Sequence, residues 1–118
     1  MVTVDQVTAL ARSLPRSAEA WVYGRLKFRI GRIVYLAFSH DQALLGFAFP
    51  KEEREALVET YPEKFMLPTG SDLRFNWVIV RLDAIDAAEM HELVLDAWEW
   101  VVPKRVAAEY FSHTGRGR

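Results

Sequence analysis

The chain has 118 residues, 51% of them apolar and 13% aromatic, with four Trp and no Cys. Such a composition fills one core without staples and excludes disorder, and the lack of cysteine excludes disulfides, thiolate metal sites and cysteine nucleophiles together. The net charge of -1 argues against a dedicated polyanion binder, but it is unevenly spread: residues 1–50 carry six basic and three acidic residues, the remainder nine and thirteen.

A near-neutral protein of this kind can still present one basic face, and a phosphate feels the local field. No basic and then apolar leader opens the chain, and no apolar run reaches the length of a membrane span. The expectation is a cytoplasmic protein.

"VTVDQV" starts a helix. Thr3 is the N-cap and Gln6 stands at N3, a capping box, with Val2 and Val7 in the staple positions. Val7, Leu10 and Leu14 then share one stripe, and Pro15 stops the helix. "AEAWVYG" reads as a short strand ending at Gly24. "RLKFRI" and "IVYLAFS" follow as two strands joined at Gly31, since glycine accepts the positive φ of a tight hairpin. "HDQ" turns the chain and "ALLGFAF" is the next strand. Four short strands in close series make an antiparallel meander. Strict alternation puts Val34, Leu36 and Phe38 on one face of it and Ile33, Tyr35 and Ala37 on the other. Both faces are then apolar in the middle, and a helix or a second subunit must cover the second.

"PKEEREALVETYPEKF" reads as the second helix, with Leu57, Tyr61 and Phe65 on its buried side. "MLPTGSD" is a loop, and "LRFNWVIVRL" a fifth strand with Trp77 in the core. The spacing then predicts a helix over 87–101, capped by Asp86 with Glu89 at N3, and stapled by Ile85 and Met90. Met90, Leu93, Val94, Ala97 and Val101 form its core face. Pro103 breaks it, "KRVAAEYF" runs on for a further turn or two, and residues 112–118 form a flexible tail. The fold class is α+β in a single domain, 1–118. About five antiparallel strands pack in two layers against helices, in the order α-β-β-β-β-α-β-α.

Little in this chain points to chemistry. His40, His91 and His113 lie in a turn, on a helix and near the end, so no metal-ligand set converges and no cofactor is expected. The serines occupy no nucleophile elbow, and no Gly-rich phosphate loop is present. Glu92, Asp96 and Glu99 read as a solvated helix face rather than as catalytic carboxylates. The expectation is a protein without catalysis. Trp98 and Trp100 fall on different sides of the last long helix, so at least one sits at a boundary, where Trp commonly anchors a partner.

One stripe remains. Along "RLKFRI", Arg25, Lys27 and Arg29 share the face opposite Leu26, Phe28 and Ile30, and Arg32 extends them at the hairpin tip. No acid lies between Tyr23 and Leu36. Such cations either decorate an edge strand, where they discourage edge-to-edge pairing, or form a ribbon that meets phosphates.

In the order and spacing of its landmarks the chain resembles the MmcQ/YjbR family. These are "SLP" at 13–15, "YGR" at 23–25, "FRIGRIVYLAF" at 28–38, "PKEEREAL" at 50–57 and "YPEKF" at 61–65. "NWVIVRLDAID" at 76–86 and "ELVLDAWEWVVPKRVA" at 92–107 complete the set. The resemblance runs from about Val4 to Ala107. It implies a two-layer α+β fold similar to secretion chaperones, with winged DNA binding through β-hairpins, and it transfers no catalytic motif.

Together these readings make the first expectation a DNA-binding protein that contacts the phosphates of duplex DNA through Arg25, Lys27, Arg29 and Arg32. The alternative is a protein–protein interaction module, or a homo-oligomer, using the sheet face of Val34, Leu36 and Phe38 and the boundary Trp.

Overall fold

The computed structural model describes residues 1–114. Helix α1 (Val4–Ser13) begins as its capping box dictates: the Gln6 amide donates to Thr3 Oγ1 at 3.2 Å and the Thr3 amide to Gln6 Oε1 at 2.9 Å. Val2 and Val7, the staple pair, are buried. Strands β1 (Ser17–Val22), β2 (Arg25–Ile30), β3 (Ile33–Phe38) and β4 (Leu44–Ala48) follow as the expected antiparallel meander. The β1–β2 turn places Tyr23 and Gly24 at φ 52° and 75°, and Gly31 opens the β2–β3 turn at φ 59°. These left-handed conformations match the twist of two-residue hairpins.

Helix α2 (Lys51–Thr60), a two-residue strand β5 (Phe65–Met66), a 3-10 turn at Gly70–Arg74 and strand β6 (Trp77–Arg81) lead into helices α3 (Ala87–Val101) and α4 (Lys104–Thr114). The sheet has six strands in the order β1-β2-β3-β4-β6-β5, one more than expected. The extra strand is β5: two residues hold no periodicity to read, and only the pairing of Phe65 with Val80 and of Met66 with Ile79 defines it. Phe65 is therefore buried from a strand and not from α2, while Tyr61, expected inside, is 45% exposed. The buried residue of α2 is Arg54.

Leu36 and Phe38 do not share a face with Val34. The β2–β3 register pairs Phe28 with Leu36 and then Arg29 with Val34, so Tyr35 is a bulge with no residue opposite it. A bulge resets the alternation. Leu36 and Phe38 join Tyr35 in the core, and Val34 lies across from Arg29 on the other side.

On the core side, Phe28, Leu36, Phe38, Phe47, Val78 and Val80 meet Val7 and Ala11 of α1, Met90, Val94 and Trp98 of α3, and Phe111 of α4. Asp86 caps α3 by accepting from the Glu89 amide at 2.8 Å. The Glu89 carboxylate does not fold back to complete a box; it pairs with Lys64 Nζ at 2.7 Å. Trp98 Nε1 donates to the carbonyl of Pro15 at 2.9 Å, which ties α3 to the end of α1. Phe111 is 2% exposed and packs edge-on against Trp98. That burial explains why α4 is a full helix through Thr114, where residues 112–118 were expected to form a flexible tail; residues 115–118 lie outside the described residues. Among the described residues, no helix is long and apolar enough to cross a membrane.

Candidate functional site

The face of the sheet opposite this core carries the basic stripe. The registers run Lys27, Ala37, Gly46 and Ile79 in one row across β2, β3, β4 and β6. Residues directly opposite in a sheet share a face, so the alternation places Arg25, Lys27, Arg29, Val34, Ala48 and Trp77 on this side too. Strand β2 pairs with β1 on one side and β3 on the other. It is not an edge, so protection against edge-to-edge pairing does not account for its three cations.

The middle of this face is hollow because its residues are small. Ala37 and Ala48 leave a trough, with Gly46 between them covered by the Trp77 indole, and a groove of about 720 Å³ opens there. Arg25, Lys27 and Arg32 line one side of it, while Asp72, Phe75, Trp77 and Trp100 line the other. Arg29 faces the same side of the sheet but stands outside the groove, exposed. Three of the four expected cations therefore meet around one concavity and the fourth flanks it.

Arg25 is held in place by the end of the adjacent strand β3, since its Nε donates to the carbonyl of Phe38 at 3.0 Å. Among the described residues Lys27, Arg29 and Arg32 form no ion pair or side-chain hydrogen bond. Against these cations the groove sets one carboxylate, that of Asp72. The local field is positive although the chain's net charge is not.

The aromatic side is positioned by Arg54, a residue that sequence reasoning missed. Its guanidinium, buried beneath the segment 73–77, donates to the carbonyls of Leu73 at 2.5 Å, Phe75 at 2.9 Å and Trp77 at 3.2 Å. An arginine fork satisfies several carbonyls at once where a lysine is a single point. Asn76 adds two more ties: its Oδ1 accepts from the Lys51 amide at 3.0 Å, and its carbonyl from the Phe49 amide at 3.1 Å. Strapped down in this way, the segment presents Phe75, 51% exposed, with the Arg74 guanidinium 4.8 Å from its ring centre.

Trp77 was expected in the core; it is half-buried on the groove side instead, across Gly46. Of the pair on α3, Trp98 is fully buried and Trp100 is 49% exposed at the boundary, as their opposed positions on the helix require. Trp100 is also the wall between this groove and a second cleft of about 710 Å³ near Phe49, Leu93 and Lys104. Two signals for this site were present in the sequence. One was the glycine inside an apolar strand, which marks a close approach; the other was the Trp98/Trp100 pair. No signal distinguishes Arg54 from its charged neighbours on α2.

No curated protein matches the chain. Among solved structures, the crystal structure of Deinococcus radiodurans protein DR2400, which carries the DUF419 domain, is similar in fold. Its TM-score is 0.74 at 24% sequence identity, over 92% of this chain and 88% of that one. The family model YjbR matches residues 12–100, a span running from the last turn of α1 to Trp100. It takes in both walls of the groove, and the chain belongs to the YjbR family.

Proposed function

We propose that this protein binds nucleic acid on the groove side of its sheet, holding phosphates with Arg25, Lys27, Arg29 and Arg32, and carries out no catalysis. One observation supports the reading above the others: four cations share one face of an interior strand and its hairpin tip, and three of them are unpaired among the described residues. Unneutralised Lys and Arg on a common face are what a polyanion's backbone engages. The position of the stripe adds weight, because an interior strand leaves the edge-protection explanation without an edge. The competing reading of a protein-binding sheet face loses two of its three residues, since Leu36 and Phe38 are in the core.

The test is a titration of fluorescently labelled DNA at several salt concentrations. Four phosphate contacts on duplex DNA give a slope of log affinity against log salt of about -3.6. Replacing Lys27, Arg29 and Arg32 together by Ser should reduce that slope to about -1 and weaken binding at low salt, with thermal stability almost unchanged because exposed cations add little to folding. No binding at low salt, or binding that the triple variant retains, refutes the proposal.

A further inference from the structure

We infer that the groove takes unpaired bases, so that the preferred ligand is single-stranded nucleic acid rather than a duplex. The inference rests on the nucleic-acid reading above and goes beyond it by naming the form of the ligand. Three features of the groove carry it. The first is shape. Arg25 and Lys27 are half-buried in the wall of a concavity. A duplex, which is a convex rod with its phosphates outermost, meets a ridge of cations more readily than a recess.

The second is the opposite wall. Phe75 and Trp100 are about half exposed at 51% and 49%, and Trp77 lies between the sheet and the opening. Aromatic faces beside a cationic track are the recurring equipment of proteins that hold single strands, because every base has a π-face to stack while its phosphate reaches a cation. In a duplex the base faces are already stacked on one another and these rings have nothing to accept.

The third is scale. At about 720 Å³ the groove lies within the range of sites that enclose ligands of nucleotide size. Its floor of Ala37 and Ala48 offers no hydrogen-bonding side chain, and Asn76 at its margin already commits its Oδ1 to the Lys51 amide. Stacking there is indifferent to which base is present, so binding tolerates any sequence.

The experiment uses the whole chain and three labelled probes of equal length, about ten nucleotides each: a thymidine oligomer, an abasic strand with the same phosphates and no bases, and a duplex. The expected order of affinity is the thymidine oligomer first, by about tenfold over each of the others. Trp100→Ala and Phe75→Ala should each lower affinity for the thymidine oligomer by about 5- to 100-fold, the loss of one stacked base, with duplex and abasic binding unchanged. Trp100→Phe retains a ring and should recover most of the loss, which also separates a missing stack from a disturbed fold. If all three probes bind equally and neither ring variant changes anything, the inference fails and phosphate binding stands alone. If no probe binds even at low salt, the nucleic-acid reading itself falls and takes the inference with it.

Discussion

The indole of Trp77 lies across Gly46 so closely that a Cβ on the glycine would stand 2.5 Å from Trp77 Nε1 and 2.7 Å from two ring carbons. Gly46 sits between Ala37 and Ile79 in the register, beneath the Trp77 indole that lines the groove. The glycine makes room for the ring, and the ring covers the backbone that a missing side chain would leave bare. Gly46→Ala should therefore displace the indole and destabilise the protein by about 1–3 kcal/mol, the usual cost of overpacking. Urea unfolding measures the loss, and a red shift in tryptophan emission reports the ring moving into water. An unchanged midpoint would show that the indole yields freely.

Arg54 holds three backbone carbonyls with one side chain. Charge-assisted hydrogen bonds contribute about 1.5–3 kcal/mol each where they are buried, but water can reach the exposed carbonyls once the guanidinium is gone. Arg54→Ala should thus cost about 2–4 kcal/mol in total. Arg54→Lys should recover little of it, since an ammonium lacks the fork. Limited proteolysis should cut between residues 69 and 76 in both variants well before it cuts the parent. Full protection in the lysine variant would refute the fork argument.

Stability should fall at alkaline pH because of Tyr35. Its ring is completely buried and its hydroxyl meets Ser17 Oγ at 2.5 Å. Burial pushes its pKa up to about 12, the Ser17 hydrogen bond offsetting part of the rise. The folded value lies above the unfolded one of about 10, so the folded state favours the protonated phenol. Its contribution is complete below about pH 10 and is lost as pH climbs towards about 12, a change of about 2–3 kcal/mol. The difference in unfolding free energy between the parent and Tyr35→Phe should shift in the variant's favour by that amount across this window. A constant difference would mean that the phenol ionises as easily inside as outside.

Tyr23 is 93% exposed and holds φ at 52° in the β1–β2 turn. A left-handed conformation costs a residue with a Cβ about 1–2 kcal/mol, and asparagine tolerates it better than tyrosine. Tyr23→Asn creates the Asn-Gly pair that this turn prefers. It should raise stability by about 0.5–1 kcal/mol, visible as a higher midpoint in thermal unfolding. A lower midpoint would reveal packing by the tyrosine ring that offsets its backbone strain.

Helix α3 was legible to the residue because its signals are local: a cap at Asp86, a staple at Ile85 and Met90, and a proline two residues past its end. The meander was legible for the same reason, its turns being marked by Gly24 and Gly31. The facing of Val34 was not, because the bulge at Tyr35 arises from how two strands settle against each other and leaves no mark in either. The basic stripe could be read as a face but not as a wall. The opposite wall comes from residues 72–77 and 100, brought there by tertiary packing. Arg54 was hidden by its company: in "KEEREAL" it looks like one more solvated charge, and only the fold turns it inward.

The position of β6 has a consequence for the chain as it is being made. Strands β1 to β4 are neighbours in sequence and in space, and each can close on the last as it emerges. The partner of β4 on its other side is β6, which follows only after α2 and β5. Until residue 77 arrives, the growing sheet ends in an apolar strand, Leu44–Ala48, with a full row of unpaired amides and carbonyls. That is the template on which a second chain adds. A nascent or truncated chain that stops anywhere from Phe49 to Asn76 keeps that edge open, so aggregation of such fragments should begin at β4.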